Sequence, residues 1–142
     1  MSSLVVRQKI AAYLTANWVL SPVAGEENEI NDPPNTLEPW LSYGFAGNKE
    51  ELISIGSAPT RCYRESGTIY FNAWVASGTG GNIALTHAEA IRDMMRHLDL
   101  GDGVRLGVAR SPSTAIPSQT DSSKGNYFAY AVLVEYDYDY KA

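Results

Sequence analysis

The sequence predicts one α+β domain over residues 1–142, in which two helices pack on one face of a mixed, mainly antiparallel sheet. Three patterns indicate this fold. Two segments carry apolar residues at helical spacing, several others alternate apolar and polar residues, and the chain ends in a long alternating stretch. A chain of 142 residues buries roughly two thirds of its unfolded surface, so one domain can fold without a metal or a disulfide.

Apolar residues at helical spacing predict the two helices. The stripe of the first helix consists of Val6, Ile10, Tyr13 and Leu14. Ser2 or Ser3 can cap its start. The stripe of the second helix consists of Ala84, Ala88, Ile91, Met95 and Leu98. Its start has two candidates, because Thr86 and Glu89 form a possible capping box whereas Asn82 can cap an earlier start.

Five segments with β-forming residues predict the strands, in the overall order α-β-β-β-α-β-β. They cover residues 40–45, 51–55, 61–76, 104–108 and 128–140. A turn at Gly47-Asn48-Lys49 separates the first two, and Glu65-Ser66-Gly67 is expected to interrupt the third as a bulge or turn. In the fourth, Val104, Leu106 and Val108 alternate with smaller or polar residues.

Polar, Gly-rich or Pro-bearing stretches predict the connections between these elements. They are an acidic loop at residues 24–39, a flexible link at Ser77–Asn82, and a Ser/Thr-rich loop at residues 111–125.

The final strand has two chemically distinct halves. One face carries Phe128, Tyr130, Val132, Val134, Tyr136, Tyr138 and Tyr140. The opposite face begins apolar, with Ala129, Ala131 and Leu133, and ends acidic, with Glu135, Asp137 and Asp139. The first half is therefore expected to be buried on both faces. The Tyr/acid half is expected to extend past the core and reach another subunit.

Composition excludes several classes of protein. The net charge of −5 and the pI near 4.9 argue against direct binding of duplex nucleic acid, which requires clustered Lys and Arg. The single cysteine, Cys62, cannot form an internal disulfide. The N-terminus lacks the apolar region of a signal peptide, and no apolar run has membrane-spanning length, so synthesis in the cytosol and no membrane partner are expected.

The sequence offers no catalytic or metal-binding constellation. His87 and His97 are ten residues apart and do not form the i, i+4 pair that binds zinc. Cys62 has no histidine in its segment to act as a base. The Gly-rich stretch 77–82 lacks the Lys-Ser/Thr ending of a phosphate loop. Carboxylates in line on the final strand do not converge as calcium ligands do. The sequence therefore predicts a protein that is not an enzyme and has no cofactor or metal.

Arginine outnumbers lysine, and arginine pairs well with carboxylates at interfaces. We hypothesise that some arginines meet the acidic tail of a neighbouring subunit. The candidate interface residues are Arg61, Arg64, Glu135, Tyr136, Asp137, Tyr138, Asp139 and Tyr140. The alternative for the three tyrosines is packing against a helix of their own subunit.

The order of these segments matches a known layout over nearly the whole chain. An amphipathic helix leads through an acidic loop to a strand that begins at a proline, and an Arg-containing strand pair leads through a Gly-rich link to the second helix. The segments concerned are Pro39–Leu41, Arg61–Val75, Ser77–Gly81, Ala84–Leu98 and Gly125–Phe128. This arrangement resembles the tail terminator (tail completion) proteins of long-tailed bacteriophages.

The resemblance implies a structural virion protein of α+β fold, without catalytic residues or cofactors. Such a subunit forms a ring, typically of six copies, on the completed tail tube. The ring stops tube polymerisation and provides the surface for head–tail joining. The implied partners are further copies of the chain, the tail tube protein and a head-side connector protein. The implied location is the head-proximal end of the tail in the virion, after assembly in the bacterial cytoplasm.

Two other functions stay open. One is another neck or head–tail connector protein of a phage, since small α+β ring proteins occur at several positions of that junction. The other is a small enzyme or ligand-binding module, with an aromatic pocket built from Trp40, Tyr43, Tyr70 and Trp74. No base, nucleophile or metal set accompanies that pocket. A nucleic-acid regulator is disfavoured by the acidic pI.

Overall fold

The computed structural model describes residues 4–21, 23–26, 39–54, 56, 60–76, 82–114 and 127–141. Within them the chain forms helices α1 (Leu4–Asn17) and α2 (Asn82–Met95). The strands are β1 (Val23–Glu26), β2 (Trp40–Leu52), β3 (Cys62–Ala76), β4 (Asp99–Gly101), β5 (Val104–Ala109), β6 (Ser113–Thr114) and β7 (Tyr127–Lys141).

All seven strands belong to one sheet, in the order β1-β2-β3-β7-β5-β4, with β6 also paired to β7. The β1–β2 pair is parallel and the others are antiparallel. The predicted α+β class, with a mixed and mainly antiparallel sheet and the order of its main segments, is confirmed. No helix in the described part of the chain is long and apolar enough to cross a membrane.

The two longest strands form the centre of the sheet. β3 and β7 pair without a break from Cys62 opposite Lys141 to Ala76 opposite Tyr127. On its other side β7 pairs with β5 and β6. The acidic half of β7 is therefore part of a multistranded sheet, because β3 follows it to its end.

The two strands predicted at residues 40–45 and 51–55 are one strand, β2. The register against β3 shifts between Ala46 and Lys49, and Gly47 has a φ of 66°. A glycine adopts positive φ without steric cost, so the chain makes a bulge there and continues in the same direction. The predicted turn at Gly47-Asn48-Lys49 is wrong for this reason.

Glu65-Ser66-Gly67 lies inside β3 and does not interrupt it. These residues pair in unbroken register with Tyr138, Asp137 and Tyr136 of β7. The predicted bulge or turn is therefore wrong. Neighbouring strands on both sides of β3 hold this segment extended, although its own strand propensity is low.

Two of the predicted loops contain short strands. Val23–Glu26 pairs with β2 as β1, and Ser113–Thr114 pairs with β7 as β6. Backbone pairing satisfies polar groups that a loop would leave to water. The rest of both predicted loops, the Gly-rich link at 77–81 and the predicted caps Ser2 and Ser3 lie outside the described residues.

The helices bury the predicted stripes, with changes at their ends. α1 buries Val6, Ile10 and Leu14, and α2 buries Ala84, Ala88, Ile91 and Met95. α2 begins at Asn82, and the Thr86 hydroxyl donates to the Asn82 carbonyl at 2.7 Å. The earlier start is thus confirmed and the capping box at Thr86 is wrong. α2 ends at Met95, so Leu98 lies beyond it.

The main core lies between both helices and one face of the sheet. It comprises Val6, Ile10, Leu14, Trp18, Leu41, Tyr43, Ile69, Phe71, Ala73, Ala88, Ile91, Met95, Val104, Leu106, Val132, Val134 and Tyr136. A second buried cluster on the opposite face contains Trp40, Trp74, Ala129 and Ala131. Burial of the first half of β7 on both faces is thereby confirmed for Ala129, Ala131, Val132 and Val134, whereas Tyr130 and Leu133 are only half-buried.

Val108 departs from the alternation predicted for β5. Val104 and Leu106 are buried, whereas Val108 is 56% exposed. The register between β5 and β7 shifts between Leu106 and Ala109. This irregularity turns Val108 away from the core.

Candidate interaction surface

One end of the sheet lies beyond the fully buried core residues of its two central strands. We call this part the distal sheet, and it consists of Lys49–Leu52, Cys62–Ser66 and Asp137–Lys141, with β5 alongside. The fully buried core residues of β3 and β7 lie on the other side of this boundary. Because side chains alternate along each strand, the distal sheet presents two faces with different chemistry.

The face on the helix side carries aromatic and aliphatic groups, and we call Leu52, Tyr63, Tyr138 and Tyr140 the tyrosine face. The ring of Tyr140 stacks on Tyr63 across the strands at 5.7 Å and on Tyr138 along its own strand at 5.3 Å. Leu52 lies opposite Tyr63 and is 52% exposed. The three tyrosines are half-buried. The result is an ordered apolar ladder across three strands that is open to solvent at Leu52.

Tyr136 belongs to the core of its own subunit. It is 2% exposed, and its hydroxyl donates to the Glu65 carboxylate at 3.0 Å. Its ring also meets Phe45 edge-on at 6.2 Å. Tyr136 therefore follows the alternative of packing within the subunit, and its burial leaves no free surface for a contact with another copy.

The opposite face of the distal sheet is charged and internally paired. Arg64 Nε and Nη2 donate to the two carboxylate oxygens of Asp139 at 2.7 and 2.9 Å. Arg105 Nη2 donates to the same carboxylate at 2.8 Å. Two arginines thus meet the acidic tail of β7 within one subunit, where the sequence left the partner to a neighbouring copy.

This cluster shifts the acid–base behaviour of its members. The hydrogen bond from Arg64 holds the pKa of Asp139 below its ordinary value. Burial opposes this effect, and the charges of Arg64 and then of Arg105 each lower the pKa by a smaller amount. The same hydrogen bond raises the pKa of Arg64. Asp139 and Arg64 therefore stay charged over the physiological range, and the cluster links β3, β5 and β7.

Two further carboxylates lie on the charged face without an ion pair within 4 Å among the described residues. Glu135 is exposed and Asp137 is half-buried. Both line a shallow groove of about 310 Å³, together with Ser66, Gly67, Thr68, Gly107 and Tyr136. Arg61, just before β3, is half-buried, and its Nε atom has no hydrogen-bond partner.

The eight candidate interface residues therefore fall into five places. Arg64 and Asp139 form an ion pair, and Tyr138 and Tyr140 lie on the tyrosine face. Glu135 and Asp137 border the groove, Tyr136 is in the core, and Arg61 lies just before the start of β3. Sequence reasoning missed Leu52, Tyr63, Glu65 and the pairing of Arg105 with Asp139. The alternation around Tyr63 was visible, but its cross-strand neighbours depend on a register that is set only in the fold.

The described residues contain no group of three or more His, Cys, Asp and Glu side chains that could hold a metal ion. His87 packs edge-on against Trp18 at 5.9 Å, and burial lowers its pKa. His97 is exposed on the turn after α2. Cys62 lies in β3 opposite Lys141, and its backbone N–H donates to the Ser54 hydroxyl at 2.8 Å.

The four aromatic residues considered as a ligand pocket do not share one face. Trp40 and Trp74 are fully buried and stack at 5.1 Å with their planes 7° apart. Trp74 also donates its indole N–H to the Ser42 hydroxyl at 2.9 Å. Tyr43 lies on the helix face, within the main core, whereas Tyr70 shares the tryptophan face by alternation. These side chains therefore do not line one common cavity.

Comparison with solved structures shows the fold alone. No family model matches the sequence, and no curated protein matches it. One solved structure aligns over 100% of this chain and 99% of its own, with a TM-score of 0.56 and 16% sequence identity. The name of that protein states no activity. At this identity the similarity shows that the whole chain, from α1 to β7, follows a backbone arrangement already known in another protein.

Proposed function

We propose that the protein is a tail terminator of a long-tailed bacteriophage. In this role copies form a ring on the completed tail tube, stop its polymerisation and provide the surface for head–tail joining. The observation that carries the proposal is the distal sheet, because it presents two chemically different faces. The resemblance in the order of segments supports the same role.

A ring places a specific demand on its subunit. The contact between neighbours is head-to-tail, so each copy needs two different and complementary surfaces. The distal sheet offers an apolar ladder of tyrosines on one side and a network of charges around Asp139 on the other. A subunit at the end of a tube also needs axial contacts. The outer edge of β2 beyond its pairing with β1 is one candidate, since Lys49, Glu51 and Leu52 are exposed there.

Deletion of the gene from the phage or prophage that encodes it tests the proposal. Tail lengths and head attachment are then measured by negative-stain electron microscopy, with the wild-type chain supplied from a plasmid as the control. A terminator is expected to be required for uniform tails, so its loss should give overlong or unjoined tails. Tails of normal length that stay unjoined would instead support a connector role. Tails of normal length joined to heads would refute both.

A further inference from the structure

We infer that a second copy of this chain packs on the tyrosine face, in a two-fold symmetric contact centred on Leu52 and Tyr63. This inference does not rest on the proposed function, because a two-fold contact closes on itself and does not build a ring. A dimer of this kind occupies the tyrosine face, so it would have to open before that face could enter a ring contact. It follows from the order of charges along the tyrosine face.

Charged groups flank the apolar centre on both sides. Alternation places Glu50 two residues before Leu52 on β2, on the same face, and opposite Glu65. Extended by one further step, it places Arg61 two residues before Tyr63 on the same face. Along the strand direction, the face is therefore acidic at Glu50, apolar at Leu52 and Tyr63, and basic at Arg61.

The two end charges lack ion-pair partners in the part of the chain that the structure describes. Glu50 is exposed and makes no ion pair within 4 Å among the described residues. Arg61 makes none with these residues either, and its buried Nε atom has no hydrogen-bond partner among them. Other charges nearby are paired, such as Lys49 with Glu51 and Arg64 with Asp139.

A surface with this order of charges is complementary to itself when reversed. Consider two copies packed face to face, with a two-fold axis that lies between the sheets and runs across the strands. This axis reverses the strand direction in the second copy. It therefore brings Arg61 of each copy over the Glu50 end of the other. Two residues of strand span about 7 Å on either side of the centre, neighbouring strands lie about 4.8 Å apart, and packed sheets lie about 10 Å apart. Because Arg61 and Glu50 belong to neighbouring strands, they remain offset by about 4.8 Å across the strands, and an arginine side chain can span this distance. Leu52 and Tyr63 then meet their own copies at the centre.

Charge complementarity therefore favours a second copy over an unrelated partner, and the contact occurs twice in each dimer. The tyrosine face is small compared with stable interfaces, which bury about 800 Å² on each side. A weak, concentration-dependent dimer is expected, so sedimentation equilibrium over a wide concentration series is the measurement to use.

Charge reversals test the contact directly. E50R or R61E places like charges against each other at both symmetric positions, and each should weaken dimerisation by about tenfold or more. The double variant E50R/R61E restores opposite charges with their positions exchanged, and should return the dimerisation constant to within about threefold of the wild type. The matched controls are E135R and R110E, which reverse exposed charges that lie outside the tyrosine face and make no ion pair within 4 Å among the described residues. Both should leave the dimerisation constant unchanged.

Circular dichroism checks that each variant folds. If R61E does not fold, the comparison of E50R with E135R still tests the contact. Glu50 is exposed, so its replacement should change the stability of the subunit little. A wild-type chain that stays monomeric overturns the inference, as does a double variant no better than the single ones. A hexamer that is insensitive to Glu50 and Arg61 would support the ring of the proposed function and overturn this contact.

Discussion

Gly67 of β3 and Tyr136 of β7 lie directly opposite each other, and the tyrosine ring fills the space that a side chain at Gly67 would occupy. A Cβ atom at Gly67 would come 2.9 Å from Tyr136 Cε1. The Tyr136 ring is held there by its hydrogen bond to Glu65 and its edge-on contact with Phe45. The same arrangement recurs on the opposite face, where the ring of Tyr70 covers Gly44. Glycine thus makes room for an aromatic ring on each face.

We expect Gly67→Ala to destabilise the protein by about 1–3 kcal/mol, which is the usual cost of overpacking a core. The added methyl group must displace a ring that is anchored at its hydroxyl. Chemical denaturation measures the free energy of unfolding. Gly107→Ala is the matched control, since its Cβ would meet its nearest neighbour at an ordinary 3.7 Å. Equal stability of the two variants would contradict the prediction.

Patterns within a segment were enough to predict the helices and most strands. The stripe Val6, Ile10 and Leu14, and the alternation that ends in Tyr140, depend on neighbours close in sequence. The same patterns misplaced the ends of segments. Gly47 was interpreted as a turn and is a bulge, because the strand on its other side continues to pair.

The candidate site needed information that a single sequence does not contain. Arg64 and Asp139 are 75 residues apart, and their contact depends on the register between β3 and β7. A shift of one residue would move each side chain to the other face of the sheet. The sequence therefore identified charged and aromatic groups of the right kind, but it could not predict that Asp139 is neutralised within its own subunit.

We expect Ser42→Ala to lower the free energy of unfolding by about 1–2 kcal/mol, because the buried indole N–H of Trp74 loses an acceptor at 2.9 Å. Chemical denaturation followed by tryptophan fluorescence measures the change. Ser66→Ala is the control, since Ser66 is half-buried and lies on the same face in the distal sheet. A Ser42 variant as stable as the Ser66 variant would show that the N–H bond contributes nothing.

We expect Asp139→Asn to make the free energy of unfolding depend less on pH in the acid range. The pKa of Asp139 is lower in the folded state than in the unfolded chain, so the unfolded chain binds more protons at acid pH. Stability from this group is present above about pH 4 and is lost as pH falls through the folded pKa. Chemical denaturation at a series of pH values, from neutral to strongly acid, measures this dependence of the free energy of unfolding on pH.

Asp137→Asn is the control for that experiment, because it removes the same charge from the same strand without breaking an ion pair. The wild type and the Asp137 variant should lose stability more steeply at acid pH than the Asp139 variant. High salt should narrow the difference, since the cluster is partly exposed and therefore screened. Parallel curves for all three proteins would mean that the contact with Arg64 and Arg105 does not stabilise the fold.

We expect His87→Phe to remove a loss of stability that the wild type shows as pH falls below neutrality. Burial against Trp18 lowers the pKa of His87 from its ordinary value of 6.5. Below about pH 6.5 the unfolded chain therefore takes up a proton that the folded chain resists, and stability falls until the pH passes the folded pKa. Phenylalanine keeps an aromatic ring against Trp18 and does not titrate. The melting temperature of the wild type should fall more between pH 8 and pH 5 than that of the His87 variant. These pH limits lie about one and a half units on either side of 6.5.

His97→Asn is the matched control, because His97 is exposed and has a φ of 53°, a conformation that asparagine tolerates. Removing this histidine should leave the pH dependence of the wild type in place. If the His97 variant instead loses the dependence and the His87 variant keeps it, the group responsible lies on the turn after α2. The contact between Trp18, which follows α1, and His87 of α2 would then be insensitive to pH.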